Sequence, residues 1–473
     1  MKSFNKIRVS VLLTFLTSLT LPSFLSAQEM EIFGKEVEVK GIFYSRVNFD
    51  YKRDNFMEDF IEWRNKFFLE LKIPFKNGNL VFSGRSFYNL LWNEKEEDSD
   101  FFFDVYEAYV KFSKGEFDFS LGKQFLSWGK SDVSVLNIAT PFDYREFIFM
   151  EEEFFNKPIL LGKISWIREN WTLEGVFIPF YEPPDFNIIK DDWSIFIPEL
   201  LTENGDYESI KAIENQITPV YFDYPDRDIR NGEAGVHFSS SVSMLDYSFV
   251  LFYGWTDIPA FYFHEDFLKS LEMTKGSPEE KLASITPVEV ITYSTPDGDE
   301  KTRDHFITAS PVRSLTTGGS FSTAWKGIGF MGDLGISYPS IFYNENFRVR
   351  EKTLISISTN IDYIFPEDIY GNLLFSGFFI PDYSEKLFIV KQFNPVLGFY
   401  LRKSIFEDKL TMDGRFVLDT NYLSWALDIR TSYSLKDNFK IIAGTHILDG
   451  RRASLFGFFR ENDEGFLGIK WTF

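Results

Sequence analysis

The chain has 473 residues, a formal net charge of -21, no Cys, and an aromatic share of 19% made of 56 Phe, 22 Tyr and 10 Trp. The acidic balance excludes a nucleic-acid partner, which needs a basic footprint, and the missing Cys excludes disulfides, thiolate chemistry and a lipidated cysteine. Mean hydropathy is only -0.15, and beyond the N-terminus there is no apolar run of the roughly 20 residues that a membrane helix requires.

The N-terminus carries Lys2, Lys6 and Arg8, then an apolar stretch from Val9 to Leu25 with Pro22 near its end, then Ser26-Ala27 before Gln28-Glu29. That order predicts a cleavable secretory signal over residues 1–27 and a mature chain over 28–473.

From Lys35 the sequence alternates with a period of two, the pattern of a strand whose faces meet different surroundings. Val37, Val39, Gly41, Phe43, Val47 and Phe49 share one face, and Glu36, Glu38, Lys40, Arg46 and Asn48 the other. A second strand sets Trp63, Phe67, Leu69, Leu71 and Ile73 against Glu62, Arg64, Lys66, Glu70 and Lys72. After the turn signal Asn77-Gly78, a third sets Leu80, Phe82, Gly84, Tyr88 and Leu90 against Val81, Ser83, Arg85 and Asn89. Strands this long with one charged face fit a membrane barrel, charged side to water and apolar side to lipid.

Continuing in this way predicts an all-β chain: a transmembrane antiparallel up-and-down β-barrel of about eighteen strands, or sixteen if Thr420-Asn421 is not a turn. Short turns fall near Pro74–Asn79, Ser113–Glu116, Arg168–Asn170, Ser241–Met244, Lys326–Ile328, Phe365–Ile369, Phe406–Lys409 and Leu435–Asn438. Between them come longer connections, including Trp92–Asp100 and three long loops at 125–158, 181–230 and 258–312. Short periplasmic turns and long extracellular loops are the barrel pattern. Glu199 to Gln216 and His264 to Ile285 have the composition of short helices that could cover or enter the mouth, and loops of this length usually have a role. The last strand, Gly465 to Phe473, alternates Leu467, Ile469, Trp471 and Phe473 with smaller or polar residues and is expected to pair with the first.

No catalytic or metal motif emerges. His237, His264, His305 and His446 are scattered, without metal-ligand spacing, and no nucleophile elbow or phosphate-binding glycine motif is present. Gly318-Gly319-Ser320 reads as a strand of small residues against a close neighbour. The acidic run Glu94, Glu96, Glu97, Asp98 and Asp100 reads as solvated surface. The inward charges are more telling: Arg402, then Asp413, Arg415 and Asp419, then Asp428 and Arg430 on successive strands can pair across the wall and set the field of a lumen.

The stretch Leu121 to Phe147 departs from simple alternation, with Gln124, Trp128-Gly129, Lys130, Asp132, Pro141, Asp143 and Arg145 in a dense mixture that suggests a defined loop. With V-Y-E-A-Y-V before it and K-P-I-L-L-G-K-I and W-T-L-E-G-V-F-I-P-F-Y-E-P after it, over Val105 to Asp185, it resembles a family of Gram-negative outer-membrane barrels known as a domain of unknown function. The pattern of that family is G-R-Q, three residues, W-G, then N-P-x-D. Lys123 stands in place of its Arg, and Thr140 in place of the Asn before Pro141. The resemblance implies a porin-like outer-membrane barrel that moves hydrophobic or lipid-like molecules, and supplies no binding residues.

The expected function is passive passage of small or hydrophobic solutes through an outer-membrane channel, with no enzymatic activity and no cofactor. The alternatives are a lipid-modifying enzyme, using His237 or His446, and an adhesin or assembly scaffold. Arg46, Arg64, Arg85, Glu107, Gln124, Asp413, Arg415, Asp428 and Arg430 are expected to line the pore, with Trp128, Lys130, Asp132, Asp143 and Arg145 at its mouth or constriction. Expected partners are outer-membrane lipid, the solute, and the barrel-insertion machinery acting on Phe473.

Overall fold

The computed structural model describes residues 30–32, 35–50, 61–92, 97–187, 193, 220–264, 291–294, 300–303, 307–344, 346–451 and 454–473. The signal segment and both candidate loop helices lie outside these residues, apart from His264.

One antiparallel sheet dominates. Its strands are β1 (Lys35–Asp50), β2 (Ile61–Phe75), β3 (Gly78–Trp92), β4 (Glu97–Lys114), β5 (Phe117–Gln124), β6 (Ile159–Ile167), β7 (Trp171–Ile178), β8 (Glu233–Val242) and β9 (Leu245–Trp255). They continue with β10 (Arg313–Trp325), β11 (Ile328–Tyr343), β12 (Val349–Phe365), β13 (Ile369–Phe379), β14 (Phe393–Ile405), β15 (Leu410–Asp419), β16 (Ser424–Lys436), β17 (Phe439–Asp449) and β18 (Glu464–Thr472). Each pairs with the next, and β18 returns to β1 in a register running from Ile42 opposite Thr472 to Asp50 opposite Glu464. The result is a closed barrel of eighteen strands, with the short segment Met30–Ile32 added beside β1. Closure pairs every wall strand on both sides, which hydrocarbon surroundings demand. Among the described residues, no helix is long and apolar enough to cross a membrane.

The connection near Thr420-Asn421 is a tight turn, and this fixes the higher strand number. Here Asn421 N–H donates to Asp419 Oδ1 at 2.9 Å and Asn421 Nδ2 to the Phe393 carbonyl at 2.7 Å, so side-chain bonds replace a longer loop. Each of the eight expected short turns joins neighbouring strands. Trp92–Asp100 departs from expectation: β4 begins at Glu97 and leaves only residues 93–96 between strands. Phe101 and Phe103 on the outer face extend the alternation back into the acidic run, which backbone pairing then carries as strand.

The outer face is apolar: Phe49, Phe82, Leu121, Phe249, Leu401 and Leu467 are all exposed. The inner face is polar yet buried, with Arg46, Arg64, Lys66, Arg85, Ser320, Asp333, Ser358, Asn360 and Asp428 nearly inaccessible. Alternation restarts once in β4, where a register shift sets Tyr106 and Glu107 against Ser83. The wall is also uneven in height. Strands β5 and β7 have 8 residues each, while β4 has 18 and β12 has 17. Outside the barrel, Val220–Phe222, Ala260–Phe263 and Ile307–Ser310 form a small sheet, and Ile291–Ser294 pairs with Glu300–Arg303. Short strands therefore stand within the long loops expected over 181–230 and 258–312. Their residues Tyr221, Phe261 and Tyr262 have the aromatic character of strand, but each run is too short to show a period.

Candidate functional site

What buries the inner face is the connection after β5, residues 125–158. Its side chains meet strands on opposite sides of a closed barrel, and only a segment lying inside can do that.

The loop first turns along β7 to β10. Trp128 Nε1 donates to Glu174 Oε1 at 2.7 Å, and its ring stacks on His237 with centroids 5.6 Å apart. Leu126, Trp128, Leu136 and Ala139 join Val176, Ile178, Val250 and Phe252 in one apolar cluster. Small residues on the wall make room. A Cβ on Gly318 would lie 2.6 Å from Leu136 Cδ2, and one on Gly235 would lie 2.6 Å from the Trp128 ring. Leu136 is thus the close neighbour expected at Gly318-Gly319-Ser320.

Next the loop is clasped by β11 to β13. The Lys130 and Ser131 amides donate to the two carboxylate oxygens of Asp333 at 3.0 and 3.2 Å. Ser131 Oγ lies 2.6 Å from Ser358 Oγ and donates to Asn360 Oδ1 at 2.5 Å, and Asn372 Nδ2 donates to Asp132 Oδ2 at 2.8 Å. Internally, Asn137 Oδ1 accepts from the Trp128 and Gly129 amides, which holds the W-G pair in place.

The second half crosses to β1, β2 and β3. Arg46 donates to Glu146 at 3.0 Å and to Glu151 at 3.1 Å; Arg64 donates to Glu146 at 3.1 Å; Lys66 pairs with Glu146 at 2.5 Å and also with Glu151. Burial alone would push both loop carboxyls up. The Lys66 charge, joined by Arg64 at Glu146 and by Arg46 at both, outweighs burial and holds each below the usual carboxylate range. Asp143, chelated by Arg145 at 2.9 and 2.5 Å, lies 3.6 Å from Arg85. Arg85 itself sits over the Tyr106 ring, 4.5 Å from its centroid, and Tyr106 Oη donates to the Asn156 carbonyl at 2.6 Å. The short helix α1 (Glu152–Phe155) brings Phe154 against Phe87. Buried ion pairs of this kind add little net stability, since desolvation offsets most of the attraction, but losing one partner is costly. They fix where the loop lies.

A last attachment is aromatic. Phe149 stacks on His446 at 4.1 Å and packs with Trp193, Phe456, Phe459, Ala426 and Leu448. His446 Nδ1 lies 3.1 Å from Asp428, its Nε2 lies 3.6 Å from Glu464, and Phe466 covers its other side.

The structure therefore joins Arg46, Arg64 and Arg85 with Asp143 and Arg145 on one side of the loop, and sets Trp128, Lys130 and Asp132 on the other. Gln124 is buried at the end of β5, accepting from Ser120 Oγ at 2.5 Å. Glu107 stands apart at the β4 register shift, its amide donating to Ser83 Oγ at 3.0 Å. Asp413, Arg415, Asp428 and Arg430 form a separate group on β15 and β16, where Asp413 faces Arg430 and Arg415 faces Asp428 in register. Lys66, Glu146, Glu151, Asp333, Asn360 and Asn372 were not singled out in advance. Glu151 belongs to an acidic triplet, the kind of run that normally stays solvated, and its partner Arg46 lies 105 positions away.

No family model matches the chain, and no curated protein matches it. Among solved structures it is similar to OccK7 (OpdD) of Pseudomonas aeruginosa, at 9% identity over 92% of this chain and 97% of the other, TM-score 0.44. It is also similar to OccAB4 of Acinetobacter baumannii, at 9% identity, 95% and 100% coverage, TM-score 0.48. A third is a BenF-like porin from Pseudomonas fluorescens Pf-5, at 10% identity, 92% and 98% coverage, TM-score 0.46. At this distance, the functional reading rests on the chain's own wall and loop.

Proposed function

We propose that the chain is an outer-membrane channel for passive passage of small solutes, with loop 125–158 as its constriction. The observation that carries this reading is the loop's position: it is fastened inside the closed barrel at Asp333, at Arg46 and at His446. A wall apolar outside and charged inside encloses water in a bilayer, and an inserted loop sets what can cross. The resemblance over Val105 to Asp185 adds the finer suggestion of hydrophobic or lipid-like cargo, in a family whose W-G pair is here part of the inserted segment. Lipid outside and a solute within are the partners this reading requires, with Phe473 offered to the insertion machinery.

The hydrolase alternative draws little support. His446 is sealed between the Phe149 and Phe466 rings and lies against two carboxylates, away from solvent. His237 is spent on stacking with Trp128.

The test is reconstitution of the purified full chain in planar bilayers and in proteoliposomes. Stepwise conductance and solute-driven swelling are expected. Absence of both in correctly inserted protein sinks the channel reading.

A further inference from the structure

The charges of the inner wall fall into two states. On β1 to β3 the loop has sealed them: Arg46 and Arg85 have 0% exposure, Lys66 1% and Arg64 3%. On β14 and β15, Arg402 and Arg415 also point inward, since Arg402 pairs in register with Asp413 and Tyr400 with Arg415, yet both are exposed. Their outward neighbours Leu401 and Met412 mark the opposite face. A guanidinium that points into a barrel and still meets solvent stands beside water inside it.

The loop's attachments explain the difference. On one side it holds β13, through Asn372 and Asp132. On the other it holds β16 and β17, through Phe149 with Ala426 and Leu448. Strands β14 and β15 lie between these two points, and among the described residues the Phe149 cluster reaches them at Val417, near the outer end of β15. The acids nearest this window are partly engaged already: Asp428 faces His446 at 3.1 Å and Arg430 at 4.0 Å. Asp362 accepts from Tyr370 and Asn372 at 2.8 and 2.5 Å.

We infer that the conducting path runs between the inserted loop and the β13–β16 wall, past Tyr370, Tyr400, Asp413 and Arg430. Arg402 and Arg415 are the residues that set its ion preference. The sealed cluster of Arg46, Arg64 and Arg85 positions the loop and does not meet the solute. Arg402 and Arg415 present the exposed charge of this window, while Asp413 is half-buried and Asp428 and Asp362 are engaged by wall partners, so the accessible charge biases it towards small anions. The inference rests on the channel reading and places the path within it.

The absence of Cys from the natural chain makes the test direct. Single variants Arg402→Cys, Arg415→Cys and, at a fully buried wall position, Ser83→Cys are reconstituted in planar bilayers and exposed to a charged methanethiosulfonate reagent. Reagent is expected to lower conductance in the first two and leave Ser83→Cys unchanged. Independently, Arg402→Glu with Arg415→Glu is expected to lower the chloride-to-potassium permeability ratio roughly fivefold, the scale of one close unit-charge interaction in water. Modification of Ser83→Cys with neither arginine variant affected overturns the path, as does an unchanged ratio in the double charge reversal. No conductance in the unmodified chain overturns the channel reading itself, and the path with it.

Discussion

Arg46 on β1 and Glu146 in the inserted loop are 100 positions apart in the chain and meet at 3.0 Å, both out of contact with solvent. The same guanidinium holds Glu151, so one wall residue fixes two points of a loop that begins and ends on the β5–β6 side. Removing either acid leaves a buried cation short of a partner. Glu146→Gln or Glu151→Gln should therefore cost about 3–5 kcal/mol in loop docking. Faster protease cleavage within 125–158 and noisier single-channel current are the expected readouts. Unchanged cleavage would remove the staple role.

Acid should act on the same contacts. Lys66, Arg64 and Arg46 hold both Glu146 and Glu151 below the ordinary carboxylate value of 4.5. A carboxylate depressed in the docked state contributes stability that is complete above its free value and disappears as pH falls through the docked one. Loop docking should be constant from neutral pH down to about 5 and weaken only below roughly 4. Current fluctuations recorded across that range check the sign. Loosening towards alkaline pH would contradict it.

On the opposite wall, two of the fastening hydrogen bonds converge on one charged group. Asp333→Ala frees the Lys130 and Ser131 amides at a cost of about 2–4 kcal/mol, since hydrogen bonds to charged groups are worth about 1.5–3 kcal/mol each and are not additive. Hydrogen exchange at those two amides should rise sharply, while the amides of β1 and β2 keep their protection.

Gly235 tests the packing side of the same loop. A Cβ there would stand 2.6 Å from the Trp128 ring and 2.8 Å from Phe252 Cδ2. Gly235→Val should displace Trp128 from His237, cost about 1–3 kcal/mol as overpacking does, and change conductance without preventing barrel assembly. Comparing tryptophan emission with that of Trp128→Phe isolates the signal.

Phe473 closes the seam. It exchanges backbone hydrogen bonds with Gly41 at 2.8 and 3.0 Å, and a Cβ on Gly41 would meet its ring at 2.0 Å. Deleting Phe473 should lower the yield of heat-modifiable, inserted barrel, and the molecules that do insert should conduct normally. Normal yield would detach this residue from assembly.

The barrel was legible in the sequence because its signal is local. Trp63, Phe67 and Leu69 against Glu62, Arg64 and Lys66 declare two faces within eight positions, and the same period carries through to Trp471. The Leu121–Phe147 stretch could be marked as a defined loop, since Trp128-Gly129 and Pro141 break that period. Its destination could not be read. Nothing near Glu146 or Glu151 says that Arg46, Arg64 and Lys66 will be their partners, because those contacts exist only once the sheet has closed. The same holds for the division between Arg85 and Arg415: both are inward arginines by parity, and only the inserted loop makes one of them dry.

The uneven wall has a consequence for the surrounding lipid. Eight residues at about 3.4 Å each, tilted by about 40°, rise roughly 20 Å, while the apolar band of an outer-membrane barrel is about 25 Å tall. At β5 and β7, each 8 residues long, the bilayer must therefore thin or the barrel must lean to avoid hydrophobic mismatch. Loop 125–158 springs from the top of β5. On this side, the missing height is taken up by chain that has folded inward.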